Sequence, residues 1–475
     1  MDISTSALID TPEQLASAFA RARDASRRDP TPDAATRIAR LNKLERLLRE
    51  HLCEWETAVA ADFGHRSPHE TRLEAFASLE ALKHSRRHLK RWMRPQRKPV
   101  GFNYLPGRAE IRVQPLGVVG IIVPWNYPIA LSFGPIIDAL AAGNRVLVKM
   151  SDYSPQTTTL FAQLVARHFA AEELCIVGGD LTLAEAFSCL PFDHLLFTGS
   201  GVIGRRIMRA AADHLTPVTL ELGGKSPLLI APDYPIEHAA ERIIAGKCLN
   251  AGQTCVAPDY VLTPKGSEGA LIAALQARIA AIYPDLVKNP DYSSIVNARQ
   301  YARLESYVDD ARAKGAKIVE LCPGQTADRE NRRLPPLAIL NAHQEMLVMQ
   351  EEIFGPLLPI LPYETLDEAI AYINAGDRPL AMYIFDRQAQ RVDAVLDATT
   401  VGGVTVNDVV VHLTQHELPF GGVGPSGMGG YHGHAGFLTF SKQTGVFRQA
   451  RWNGVGLISP PYNARFDRLL AWLMR

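Results

Sequence analysis

Apolar positions through the first hundred residues recur at helical spacing, as at Ile38, Leu41, Leu44 and Leu47. Thr11, Pro12 and Gln14 write a helix start: a capping hydroxyl, proline at the first helical position and glutamine at the third. The basic stretch from His84 to Lys98 sets Leu89 and Trp92 on one side, which predicts a helix with a solvated face and those two side chains turned inward. After Pro95 the rhythm changes. Short apolar runs alternate with helical patterns: Val118 to Val123 then Ala130 to Ala142, Arg145 to Met150 then Gln156 to Phe169, His194 to Thr198 then Val202 to Ala212, and Val218 to Leu222. Strands separated by ten- to fifteen-residue helices imply parallel pairing with helical crossovers, a doubly wound α/β sheet. A second such series starts near Lys225, with a strand at Leu228 to Ala231, a helix from Ile236 to about Ala251 and a strand at Tyr260 to Leu262, and runs to about Asn407. Two sheets in succession predict two lobes with a cleft between them, and ligands of such sheets sit at the carboxyl ends of strands.

Composition narrows the class. The 475 residues are 47% hydrophobic, enough for two or three cored domains. Lys and Arg total 50 and so do Asp and Glu, so no global field holds a polyanion and no nucleic-acid partner is expected. The uncharged run Val113 to Ile137 is long enough to span a bilayer, but Pro115, Pro124, Pro128 and Pro135 would leave backbone groups unsatisfied in lipid. It reads as buried strand, turn and helix. The acidic start and the short, charged FDRLLAWLMR end predict neither a secretory signal nor a membrane span, and a cytoplasmic location is the expectation. Six cysteines without a CxxC pair argue against a disulfide scaffold and a zinc cluster, and no metal is expected.

The strand at His194 runs into Gly199-Ser200-Gly201-Val202-Ile203-Gly204, a GxGxxG opening a helix, where bare N–H groups suit a pyrophosphate. About 20 residues on, Glu221 has the spacing of a ribose-binding acid. Its neighbours Gly223 and Gly224 equally suit a carboxylate presented to the cleft, and spacing leaves both roles open. In Asn250 to Pro258, Cys255 follows a helix end at Gly252 and stands off the periodic apolar face that holds Cys248. It is a candidate nucleophile or a buried structural thiol.

Six segments together resemble the aldehyde dehydrogenase superfamily, in that family's order: Pro124-Trp125-Asn126-Tyr127-Pro128, Phe197-Thr198-Gly199-Ser200, Glu221 to Pro227 (ELGGKSP), Gly252-Gln253-Thr254-Cys255, Glu351 to Pro356 (EEIFGP) and Pro419-Phe420-Gly421-Gly422. Asn250 to Tyr260 and Gly422 to Gly433 look like the class 3 and fatty-aldehyde branch, and Asp62 to Thr71 (DFGHRSPHET) resembles coniferyl aldehyde dehydrogenases.

The resemblance implies an aldehyde dehydrogenase-like α/β fold of two doubly wound lobes and a small oligomerisation arm. Residues 1–97 and 116–222 would bind cofactor, 223–424 would carry catalysis, and 98–115 and 425–460 would bridge subunits. A homodimer joined through Arg97 to Pro115 and Thr444 to Ile458 is expected. Cys255 would attack the aldehyde to give a thiohemiacetal and then a thioester, Glu221 would be the general base, and the Asn126 amide with the Cys255 N–H would hold the oxyanion. Pro124, Trp125, Lys149, Asp152, Gly199, Ser200, Gly204, Leu222, Gly223, Glu352 and Phe354 would bind NAD, with NADP possible, the last two at the nicotinamide ribose and ring. Two positions depart from the family: Asp152 stands where Glu is usual, and Gly201 where Thr is common. Tyr127, Leu131, Val256 and Phe420 would line the substrate tunnel; none is charged, which favours an apolar or aromatic, coniferyl-type aldehyde. A fatty or broad-range medium-chain aldehyde dehydrogenase is the nearest alternative. A non-catalytic homologue is another, with the joint presence of Cys255, Glu221 and Asn126 against it.

Overall fold

The computed structural model describes residues 8–454, 456 and 459–474, so Ile458, the far end of the expected bridging segment, lies outside the described residues. Among the described residues, four helices, Pro12–Arg28, Ala34–Arg49, Leu52–Phe63 and Pro68–Trp92, precede the first strand. Thr11 Oγ1 accepts from the Gln14 N–H while the Gln14 side chain accepts from the Thr11 N–H, each at 3.3 Å, which closes the capping box. Leu41, Leu44 and Leu47 are fully buried, and so are Leu89 and Trp92 on the long basic-ended helix.

Six strands form the first sheet, in the spatial order Gly427–Met428, Val218–Leu222, His194–Gly199, Val118–Ile122, Arg145–Lys149, Leu174–Val177. All pairs are parallel except the first. The runs at 118–122 and 145–149 are buried at every position because helices cover both faces, which is why they read as continuous apolar stretches rather than alternating ones. Two members escaped the sequence pattern. Leu174–Val177 has four residues, too few for a period, and the Gly427–Met428 pair gains its place only by lying antiparallel to Val218–Leu222.

The second sheet has seven strands, ordered Lys317–Glu320, Leu337–Leu340, Leu357–Tyr363, Tyr260–Pro264, Pro227–Ile230, Ala381–Phe385, Gly403–Val406, with one antiparallel edge. A third, antiparallel sheet joins Gln96–Lys98, Arg108–Pro115 and Ser441–Arg448, residues more than 300 positions apart pairing in an unbroken eight-residue register. Among the described residues, no helix is long and apolar enough to cross a membrane.

The helix expected from Ile236 to about Ala251 ends sooner, at Cys248. Asn250 (φ 49°) and Ala251 (φ 51°) then turn left-handed, a conformation costing non-glycine residues about 1 kcal/mol or more each. Side chains hold the turn. Asn250 donates its N–H to Glu70 Oε1 at 2.8 Å, and Gln253 Nε2 donates to the Asn250 and Ser294 carbonyls at 3.0 Å each. At Gly252 (φ 75°) a Cβ would stand 2.4 Å from the Gly355 carbonyl oxygen, so only glycine lets the chain pass there to reach Cys255.

Candidate active site

The carboxyl ends of three first-sheet strands open into one cleft of about 880 Å³, closed from the other side by second-lobe residues. Pro124, Trp125 and Asn126 enter after strand 118–122, Gly199 and Ser200 after strand 194–199, and Glu221 to Gly223 at the end of strand 218–222. Cys255, Glu352 and Phe354 face them from the second lobe, with Leu131 and Phe420 beside them.

Burial pushes the Cys255 thiol up to about 12, the nearby Glu352 and Glu221 carboxylates add to the rise, and the N–H groups of Cys255 and Val256 oppose it. The thiol therefore rests protonated and needs a base or a positive charge to become a nucleophile. Glu221 is 2% exposed, and neither carboxylate oxygen has a hydrogen-bond partner among the described residues. Burial alone holds its pKa well above the carboxylate range, as suits a group that takes up a proton near neutrality. Asn126 donates one amide hydrogen to the Gln253 carbonyl at 3.1 Å, which leaves its second amide hydrogen for the cleft.

The remaining groups form a frame. Ser200 caps the helix Gly201–Ala212 without a side-chain cap bond, so its hydroxyl and the first helical N–H groups stay available to an anion. At Gly204 a Cβ would lie 2.7 Å from Leu222 Cδ2, which fixes how closely helix and strand approach. Gly201 is different: a Cβ there would meet only the Arg205 guanidinium, at 3.7 Å, so packing does not demand glycine. Trp125 and Phe354 meet edge to face at 5.4 Å. At Gly223 a Cβ would stand 1.9 Å from Glu352 Oε2. Glu352 is raised to about 8 by burial first and the Asp259 charge second, opposed by the Gly224 N–H, Lys225 and Arg303.

Not every expected residue reaches the cleft. Lys149 follows strand 145–149 inward and donates to the Met150 and Gly179 carbonyls at 2.8 and 3.1 Å, and neither it, Asp152 nor Gly204 lines the cavity. Val256 is fully buried and does not line this cleft, its carbonyl accepting from the Tyr383 hydroxyl. Tyr127 also stands behind the wall, bonded through its hydroxyl to Thr254 Oγ1 at 2.7 Å and packed on the Arg66 guanidinium at 4.8 Å. Arg205, Lys225 and Arg303 line the cleft and were not singled out from sequence, because lone basic residues carry no spacing signal.

The sequence pattern of the aldehyde dehydrogenase family matches residues 4–446. The chain belongs to the aldehyde dehydrogenase family. Its members are oxidoreductases acting on aldehydes, and this enzyme is one. It is 50% identical over 458 residues to a probable coniferyl aldehyde dehydrogenase of Pseudomonas aeruginosa, covering 96% of this chain and 95% of the relative. It is 45% identical over 467 residues to the coniferyl aldehyde dehydrogenase of Pseudomonas sp. strain HR199, covering 97% and 96%. Among solved structures, the substrate-bound state of Staphylococcus aureus AldH matches with TM-score 0.91 and 35% identity over 97% of this chain and 99% of that one. A betaine aldehyde dehydrogenase point mutant from S. aureus, in complex with NAD+ and with a BME-modified cysteine, matches at TM-score 0.83 and 25% identity over 94% and 90%.

Beneath the enzyme's cleft lies a buried charge network that sequence reasoning missed. Arg66, 1% exposed, forms an ion pair with Glu74 at 2.8 Å, stands 3.7 Å from Glu70, and donates to the Asn126 carbonyl at 2.9 Å. Glu74 Oε2 accepts from the Ile129 and Ala130 N–H groups at 3.1 Å each, capping the helix that follows the Asn126 loop. Glu70 accepts from the Asn250 N–H and, at 2.6 Å, from the Ser293 hydroxyl, which braces the turn before Cys255. Asp62, in the same DFGHRSPHET stretch, caps helix Pro155–His168 through the Gln156 and Thr157 N–H groups at 2.8 and 2.9 Å. The signal was there: Arg66, Glu70 and Glu74 are spaced by four, but such charges on a helix usually mark its wet face.

Proposed function

We propose that this enzyme oxidises an aromatic, coniferyl-type aldehyde to its carboxylic acid, with NAD as the hydride acceptor and Cys255 as the covalent nucleophile. The observation that carries the proposal is the meeting of Cys255, Glu221 and Asn126 in one cleft with the uncapped helix start at Ser200. The coniferyl aldehyde dehydrogenases among the relatives and the uncharged Leu131 and Phe420 of the cleft support the substrate class. A nicotinamide is supported by the NAD+ complex of the betaine enzyme.

Cys255 Sγ gives up its proton to solvent and bonds to the aldehyde carbon, while the carbonyl oxygen becomes an oxyanion held by Asn126 Nδ2 and the Cys255 N–H. Bound here, the nicotinamide supplies hydride acceptance and a positive charge that favours the thiolate. Loss of hydride from the carbon leaves a thioester on Sγ. Glu221 then takes a proton from water, the hydroxide adds to the thioester carbonyl, and collapse expels the Cys255 thiolate and the acid. Glu352, above Gly223, would hold the ribose side of the nicotinamide, and Trp125 with Phe354 would form an apolar wall beside it.

The test follows NADH and NADPH formation with coniferyl-type, benzylic and straight-chain aldehydes, beside a Cys255→Ala variant. Turnover highest with aromatic aldehydes and NAD, abolished in the variant, is the expected result. Equal turnover of medium-chain aliphatic aldehydes would favour the fatty or broad-range alternative, and an active Cys255→Ala protein would remove the covalent mechanism.

A further inference from the structure

Away from the catalytic cleft, the helix Pro68–Trp92 carries His84 and His88 one turn apart. Against them lies the segment that leads to Phe420, bearing His416 and Glu417. One ligating atom from each of His84, His88 and Glu417 lies within 4.8 Å of the other two. His84 Nε2 stands 3.3 Å from Glu417 Oε1; the pair attracts when the imidazole is charged, yet this buried nitrogen has no partner in hydrogen-bond geometry among the described residues.

Each of the three groups is prepared for a cation. His88 Nδ1 lies 3.0 Å from the His84 carbonyl oxygen, and donating there fixes the tautomer whose Nε2 lone pair is free to ligate. His84 Nε2 is buried, faces Glu417 at 3.3 Å and is committed to no hydrogen bond among the described residues, so it can turn to an ion between them. The Glu417 side chain is 63% exposed, which leaves room for a water ligand and a path of entry. Two histidines separated by four on a helix, completed by a carboxylate, form a mixed N/O donor set that suits zinc better than calcium or magnesium. Zinc bonds of about 2.0–2.1 Å in a tetrahedron put donors about 3.3 Å apart. The His84–Glu417 pair already has that spacing.

We propose that His84, His88 and Glu417 bind a divalent transition-metal ion of the Zn2+ type, tying the long helix to the segment that ends at Phe420. Phe420 lines the catalytic cleft and Glu74, on the same helix, caps the helix after Asn126, so the ion joins two elements that shape the cleft from outside it.

The test uses untagged full-length protein, stripped with EDTA and equilibrated with Zn2+, reading metal per chain by mass spectrometry and unfolding temperature with and without EDTA. Glu417→Gln alters an exposed side chain and His88→Ala a half-buried one, with circular dichroism verifying the metal-free fold. About one ion per chain, a rise in unfolding temperature reversed by EDTA, and at least tenfold weaker binding in both variants are expected. Cys255→Ser should bind as the parent does. Unchanged affinity in either site variant, or loss of the ion in Cys255→Ser, overturns the proposal.

Discussion

Replacing Glu221 with Gln separates the two roles that its spacing allows. The side chain keeps its volume, and because neither carboxylate oxygen has a hydrogen-bond partner among the described residues, no bond is broken. The cost to stability is that of one buried amide without a partner, about 1–3 kcal/mol. The kinetic cost is larger. Removing a general base loses about 100- to 10,000-fold in rate, about 2.7–5.5 kcal/mol of barrier. The loss should fall on hydrolysis of the thioester, since hydride leaves before water attacks. Stopped-flow absorbance at saturating aldehyde should therefore show a burst of reduced cofactor approaching one equivalent per chain, then a steady state slowed by at least 100-fold, with NAD affinity within a few-fold of the parent. A Glu221→Gln protein that turns over normally but binds NAD weakly would refute the base role and restore the ribose-binding one. A lost burst would mean that the carboxylate is needed to deprotonate Cys255.

The buried network should resist loss of its cation. Arg66→Met leaves Glu70 and Glu74 buried without a counter-charge, costing about 3–5 kcal/mol at neutral pH in chemical denaturation, less in acid as the carboxylates protonate, with Arg66→Lys intermediate. Glu352 gives a pH signature. Its folded pKa of about 8 exceeds the ordinary 4.5, so its contribution to stability is complete below pH 4.5 and is lost as pH rises towards 8. Glu352→Gln should flatten the fall in unfolding temperature across that window; an unaltered slope would mean that the group ionises freely. Gly201→Ala should be tolerated and should stabilise by about 0.4–1 kcal/mol, because a Cβ there meets only the mobile end of Arg205; weakened NAD binding would show instead that the bare backbone is needed.

Local pattern sufficed for the elements whose burial is periodic or complete. The capping box at Thr11, the helix Ala130–Ala142 and the strand Val218–Leu222 were legible because caps, helical faces and fully buried strands each leave a mark within ten or so residues. GxGxxG and the turn to Cys255 announced a backbone that must approach something closely. What sequence spacing left open was the role of Glu221, and the cleft shows it as a bare carboxyl opposite Cys255 rather than a group already bonded within its own lobe.

Other features exist only through contacts between distant segments. The pairing of Arg108–Pro115 with Ser441–Arg448, the edge strand Gly427–Met428 and the placement of Val256 off the cleft depend on what lies opposite, and a short run cannot encode its partner. Arg66, Glu70 and Glu74 show the same limit for charge. In sequence they resemble a wet helix face; in the fold they are buried together, and their mutual pairing is what makes that burial tolerable while they hold Asn126 and the turn before Cys255 in place. The amino-acid sequence determined which groups could do chemistry. Desolvation, which only tertiary packing creates, decided their protonation and brought them within reach of one another.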